Sequence, residues 1–271
     1  MKLRTSLFLF LLFSSFALFA QGPPVSASGP SRRPKKEKIV STRPDSITPC
    51  FVLQFSYALQ LPGGDLVHRF GVNSNAGISF GYKTQKNFIY SASWSYLFGK
   101  DLRGENPLSI ISTSDGFVID REGKMADIRM FERGFTLGLS AGKIFNGFLA
   151  PNKNSGFMLT GGVGYLQHKI KIYDNGARSP QLTKETLKGY DRLTSGLMVT
   201  EFVGYFYLSR NRYVNFYGGF EFNQAFTKSR RSWDYSLMRA DTEQRLDLLS
   251  GFRVGWVLPL YKSTARVKYY Y

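Results

Sequence analysis

Cysteine and histidine are almost missing from this chain: 271 residues contain one Cys and two His. A lone Cys50 cannot close an internal disulfide, and it lies too far beyond the apolar amino-terminal segment to be a lipoprotein's acylated cysteine. His68 and His168, with one thiol and no clustered spacing, fall short of a zinc site. Acidic residues are also scarce, 19 Asp and Glu against 36 Lys and Arg, for a net charge of +17. No glycine-rich phosphate loop occurs between a strand and a helix. Beyond residue 20 no run is apolar enough to cross a bilayer as a helix, which takes about 20 residues. These shortages argue against a disulfide scaffold, a zinc enzyme, a nucleotide-binding fold and a helical membrane protein, and they imply no cofactor and no metal.

The basic excess calls for a polyanionic partner. Its bases are concentrated in an amino-terminal tail and in predicted loops and turns, positions that reach lipid phosphates and lipopolysaccharide. That distribution argues against nucleic acid.

What the chain has in quantity is rings and glycines: 24 Phe, 16 Tyr, 3 Trp and 27 Gly. Membrane barrels use both, with rings toward lipid and small residues toward a narrow lumen. At the amino terminus Lys2 and Arg4 precede the apolar run Leu7 to Phe19, and Ala20 before Gln21 offers a cleavage site. This layout reads as a secretory signal over 1–20, too short to favour a membrane anchor. Residues 21–48 are rich in Pro, Ser and bases, including Arg32, Arg33, Lys35, Lys36, Lys38 and Arg43. With no apolar periodicity, they read as a disordered periplasmic linker.

From Phe51 onward the pattern changes to strict alternation. Phe51, Leu53, Phe55, Tyr57, Leu59 and Leu61 share one face, with Gln54, Ser56, Ala58 and Gln60 on the other, and a period of two means a strand. The same pattern returns near 73–82, 88–99, 133–146, 155–173, 193–209, 212–229 and 243–258, predicting eight strands. Each is long enough to cross a bilayer when tilted. Connections after the second, fourth and sixth strands are short, and those after the others are longer, chiefly 100–133 and 174–191. Short periplasmic turns and long outer loops mark up-and-down outer-membrane barrels, and an even strand number puts both termini on the periplasmic side. A soluble β-sandwich also alternates. Its outer faces carry long charged residues, whereas the non-apolar face here is mostly Gly, Ser, Asn and Thr.

The alternation points Glu201, Glu221 and Arg253 inward near mid-height, with Asp247 near the outer rim and Lys83 near the inner rim extending the set. Buried charges must pair, so the expected structure is a lumen salt-bridge cluster rather than an acid–base catalyst. The glycines Gly161, Gly162 and Gly164 read as close-packed lumen or kink positions. A catalytic device would have to use His68 or His168, and no serine occupies a neighbouring same-face position beside His168. An eight-stranded interior is filled by its own side chains, which argues against solute passage.

With its strand pattern, export signal, loop asymmetry and aromatic ending Lys268-Tyr269-Tyr270-Tyr271, residues 51–271 resemble the small porin-like outer-membrane β-barrels, OmpX- and OmpA-like in architecture. The resemblance implies an all-β, eight-stranded antiparallel up-and-down barrel over 49–271, recognition of the aromatic terminus by the barrel-assembly machinery, and life among outer-membrane lipid. Pro259 and the turn-like Lys262-Ser263-Thr264 depart from the usual approach to that terminus. The final strand either ends near Leu258 or is followed by a short extra strand at 265–271. Some members of this broad family are subunits of secretion or gliding machineries, and others have no known activity. The expected role is structural or interacting, with an envelope protein partner met through loops or tail; the alternative is a lipid-modifying or proteolytic barrel.

Overall fold

In a computed structural model of the chain, residues 47–147, 150–176, 179–209 and 214–261 are described. The expected export segment, nearly all of the expected basic linker and the question of a strand at 265–271 lie outside them.

Eight strands follow one another: β1 (Cys50–Gly64), β2 (Asn73–Lys83), β3 (Phe88–Gly99), β4 (Ile128–Phe145), β5 (Gly156–Asp174), β6 (Thr194–Leu208), β7 (Asn215–Ser229) and β8 (Gln244–Leu260). Each pairs antiparallel with the next and β8 pairs with β1, so the sheet closes into a barrel with no free edge. The eight segments expected from alternation are all present. β4 begins earlier than its apolar pattern, because Ile128 to Arg133 pair with β5 beyond the apolar band.

Register fixes the geometry of the cylinder. Stepping across paired residues from Gln54 through Ser79, Ser93, Gly138, Gly164, Met198, Ala225 and Asp247 returns to β1 at Gly64, ten residues beyond the start. Eight strands with a stagger of ten tilt by about 40° from the axis and leave an interior just wide enough for side chains.

The outer wall is mostly apolar on every strand. Phe55, Tyr57, Phe80, Tyr90, Trp94, Leu139, Val163, Phe220, Phe252 and Trp256 are among its exposed residues. Facing inward, the same strands carry Ser56, Ser79, Ser91, Ser93, Ser95, Thr136, Ser140, Thr160 and Thr200 with several glycines. Backbones come so close at Gly204 and Gly219, which are paired, that a Cβ on Gly219 would stand 2.2 Å from the carbonyl oxygen of Val203. The missing side chains leave room for the inward ring of Phe202.

Two apolar layers close the lumen. Toward the short-turn rim, Cys50, Val52, Ile89, Ile144, Met158, Phe202, Phe206, Leu208, Tyr217 and Val257 form one buried cluster. Toward the long-loop rim, Leu97, Leu166, Met198, Ala225 and Leu249 form another, continued upward by Leu66, Phe70, Leu108, Val118, Ala126 and Tyr190 from the loops.

The loops are therefore part of the packing and form a cap. Backbone hydrogen bonds tie the first loop to the second, from Gly71 N–H to Asp101 and from Arg103 N–H to Arg69. Arg231 donates two hydrogen bonds to the Asp191 carboxylate, one of 2.8 Å, joining the fourth loop to the third. These bonds push the Arg231 guanidinium's pKa up. The rings of Tyr190 and Tyr235 lie 5.2 Å apart across the same seam. A short helix, α1 (Thr186–Tyr190), lies within the third loop.

Candidate functional site

Between the two apolar layers lies a polar compartment with a cavity of about 100 Å³, room for about three waters. Arg253 on β8 and Glu221 on β7 meet there, with Nη2 2.7 Å from Oε2. The guanidinium also donates to Ser56 Oγ (2.7 Å) and Asn75 Oδ1 (3.1 Å), and Gln60 Nε2 donates to the same Glu221 oxygen at 3.2 Å. Both charges are thus shared over several polar groups, as a buried ion pair requires. Ser56, Gln60 and Asn75 were legible as inward positions but not as partners, because register decides which inward residues share a height.

Three of the five residues expected in this cluster lie elsewhere. Glu201 is a correction: it faces outward and is exposed, paired with Gly161 and Phe222 on the outer wall. On β6 the inward face holds Met198, Phe202, Phe206 and Leu208. Both faces of that strand are apolar-rich, so alternation alone assigns the wrong side. Gly161 likewise faces outward, whereas Gly162 faces in against Leu139 and Ser140.

Asp247 is inward but belongs to a different group, above the upper apolar layer. Its Oδ2 lies 2.9 Å from Nε2 of His168 and accepts a hydrogen bond from the Thr227 hydroxyl. Lys83 is buried at the opposite rim, where Nζ donates to Asn154 Oδ1 at 2.9 Å, bracing the turn between β4 and β5. A further buried carboxylate, Glu132, accepts from Asn73 Nδ2 at 3.2 Å. Its place inside the rim depends on the extension of β4.

The His168, Asp247 and Thr227 arrangement has the residue types of a hydrolytic triad without its connectivity. A nucleophile must hydrogen-bond the base, and the base must be oriented by the acid. Here the threonine hydroxyl is bonded to the acid, and Nδ1 of His168 is buried with no hydrogen-bond partner among the described residues. The three residues are 1%, 1% and 2% exposed for His168, Thr227 and Asp247, closed off from solvent in this structure. Phe70 covers the imidazole edge-on, with ring centroids 5.5 Å apart. His68 is exposed at the end of a short helical turn in the first loop. Among the described residues, no group of three or more His, Cys, Asp and Glu is placed to hold a metal ion.

A closed sheet whose outer wall is mostly rings and aliphatics satisfies every strand's hydrogen bonds within itself and presents hydrocarbon to its surroundings, which is what a bilayer demands. The chain is built as a small outer-membrane-type β-barrel. No family model matches it, and no curated protein sequence does. Among solved structures it is similar to Neisserial surface protein A, at 13% identity and a TM-score of 0.39, over 76% of this chain and 95% of that one. It is also similar to Ail, the attachment invasion locus protein of Yersinia pestis (10%, 0.41, 78% and 99%). A third is the outer membrane protein OprG from Pseudomonas aeruginosa (13%, 0.32, 78% and 97%). At these identities and scores, nothing about function passes from them to this chain.

Proposed function

We propose that the protein is a non-enzymatic integral barrel of a Gram-negative-type outer membrane, serving as a rigid platform for an envelope protein partner rather than as a pore or catalyst. The observation that carries this reading is the double seal: two apolar layers enclose a polar compartment, and hydrogen-bonded loops cover the outer one. In this reading the short-turn rim, where both β1 begins and β8 ends, faces the periplasm. The cap presents Trp233, Leu237 and Met238 to the exterior, exposed by 46%, 37% and 62%, an apolar offering on a scaffold that holds it still. Outward-facing Arg133, Lys169, Lys171 and Lys228 lie at the outer ends of β4, β5 and β7, at the level where lipopolysaccharide phosphates bind.

The test combines three assays on the purified mature chain. In planar bilayers it passes no stepwise ion current, on lipid A and peptide substrates it shows no turnover, and in cells a photo-crosslinker at position 233 joins it to an envelope protein. A steady conductance, or a turnover abolished by replacing His68 and His168 with alanine, overturns the reading.

A further inference from the structure

Glu201 is the eighth of the fifteen residues of β6 and points away from the lumen. On the same outward side Leu197 and Val199 lie above it, and Val203 and Tyr205 lie below. A carboxylate therefore stands at mid-height on the wall that faces hydrocarbon, where an ionisable group is costly and marks a functional contact by default. Its side chain makes no hydrogen bond or ion pair with the described residues. Among the described residues no outward cation stands at that height: Lys143, lower on β4, is held over the rings of Phe88 and Phe145, 5.2 and 5.5 Å from their centroids. Lys169, Lys171 and Lys228 lie at the outer rim.

Beside Glu201 the wall is open. Its partner across the β5–β6 ladder is Gly161, where a Cβ would meet nothing within 4 Å. Beyond that glycine runs a groove of about 730 Å³, floored by Ala92 and Ala141 and flanked by Phe80, Tyr90, Leu139 and Val163. Both features lie on one face, the carboxylate at the groove's edge with no side chain between.

We propose that this groove and Glu201 form a docking site, within the bilayer, for a different integral membrane protein that presents a lysine or arginine at mid-membrane height. Charge complementarity selects that occupant. Lipid headgroups stay at the interface and cannot satisfy a carboxylate at the bilayer centre. A second copy, related by a two-fold axis along the membrane normal, brings only another Glu201 to the same height, and two like charges repel. A cationic side chain from a neighbour supplies the missing charge where a polar contact has no water to compete with it. The proposal rests on the membrane reading above.

The test places a benzophenone amino acid at Val163, on the groove, or at Val254, on another part of the wall, in the full chain expressed in its own membrane. At position 163 the expected product joins the chain to a membrane-embedded segment that carries Lys or Arg; position 254 gives no such product. Glu201→Leu lowers the yield about tenfold, and Glu201→Lys abolishes it until the partner's cation is changed to Glu. In purified form in phosphatidylcholine vesicles, Glu201→Leu raises the melting temperature, since the carboxylate has no partner there. Crosslinks from position 163 confined to lipid or to a second copy, or a Glu201→Leu barrel that melts lower than the parent, overturn the docking site alone. A mature chain that stays monodisperse in plain buffer overturns the membrane reading first.

Discussion

The guanidinium of Arg253 and the carboxylate of Glu221 are 2.7 Å apart inside the closed lumen, and the same guanidinium reaches Ser56 and Asn75 across the barrel. One ion pair thus ties β8 to β7, β1 and β2. Two charges held this way contribute little net stability relative to apolar residues of similar size, but either one left alone is expensive.

Arg253→Leu therefore destabilises the barrel by about 3–5 kcal/mol, because Glu221 keeps its burial and loses its cation. The double change Arg253→Leu with Glu221→Leu destabilises by less. Urea unfolding in lipid vesicles reads both, and equal midpoints for the single and double variants would sink the account.

The seal on the short-turn side gives a second contrast. Phe206 is fully buried within it, whereas Phe220 lies on the outer wall and is 59% exposed. Phe206→Ala leaves a cavity walled by rigid strands and costs about 3–5 kcal/mol. Phe220→Ala leaves a gap that acyl chains fill, so its cost in vesicles is smaller. Similar losses for the two would mean that Phe220 packs on protein rather than lipid.

His168 and Asp247 are expected to act structurally. His168→Ala strips one of two hydrogen bonds from a buried carboxylate and costs about 1–3 kcal/mol. It leaves the background rate on ester, peptide and lipid A substrates unchanged. A turnover in the parent that vanishes in this variant, with the melting temperature retained, would instead assign the imidazole a catalytic part.

Strand number, pairing order and most side-chain orientations were legible because an outer wall facing lipid repeats every two residues, and one rim carries shorter connections than the other. Glu201 was misread for a physical reason: Phe202, Phe206 and Leu208 face inward to form the lower seal, so β6 is apolar on both faces and loses its period-two contrast. Asp247 and Lys83 stand at the outer and inner rims where alternation and strand position put them, but their partners His168, Thr227 and Asn154 were not legible. With a stagger of ten, inward residues on distant strands meet only when the register is known. The loop cap was not legible at all, since its seams depend on bonds between segments far apart in the chain, such as Arg231 to Asp191.

Acid should open that cap before it unfolds the barrel. Asp241, in the fourth loop, accepts a hydrogen bond from Arg245 Nη2 at 2.8 Å and lies 3.5 Å from Arg69 of the first loop, with Glu243 also against Arg245. Burial pushes the Asp241 carboxyl up, but the Arg245 hydrogen bond and the charges of Arg245 and Arg69 outweigh it and hold the group below the ordinary 3.8. Because the folded value is the lower one, the stabilisation is complete above the ordinary value and is lost as pH falls through the folded value. With Trp94 and Trp256 replaced by Phe, Trp233 becomes a reporter within the fourth loop. Its emission should shift to the red as pH drops below about 4. Asp241→Asn removes that step and gives a loosened fourth loop at neutral pH. An unchanged midpoint in Asp241→Asn would show that another carboxylate holds the cap.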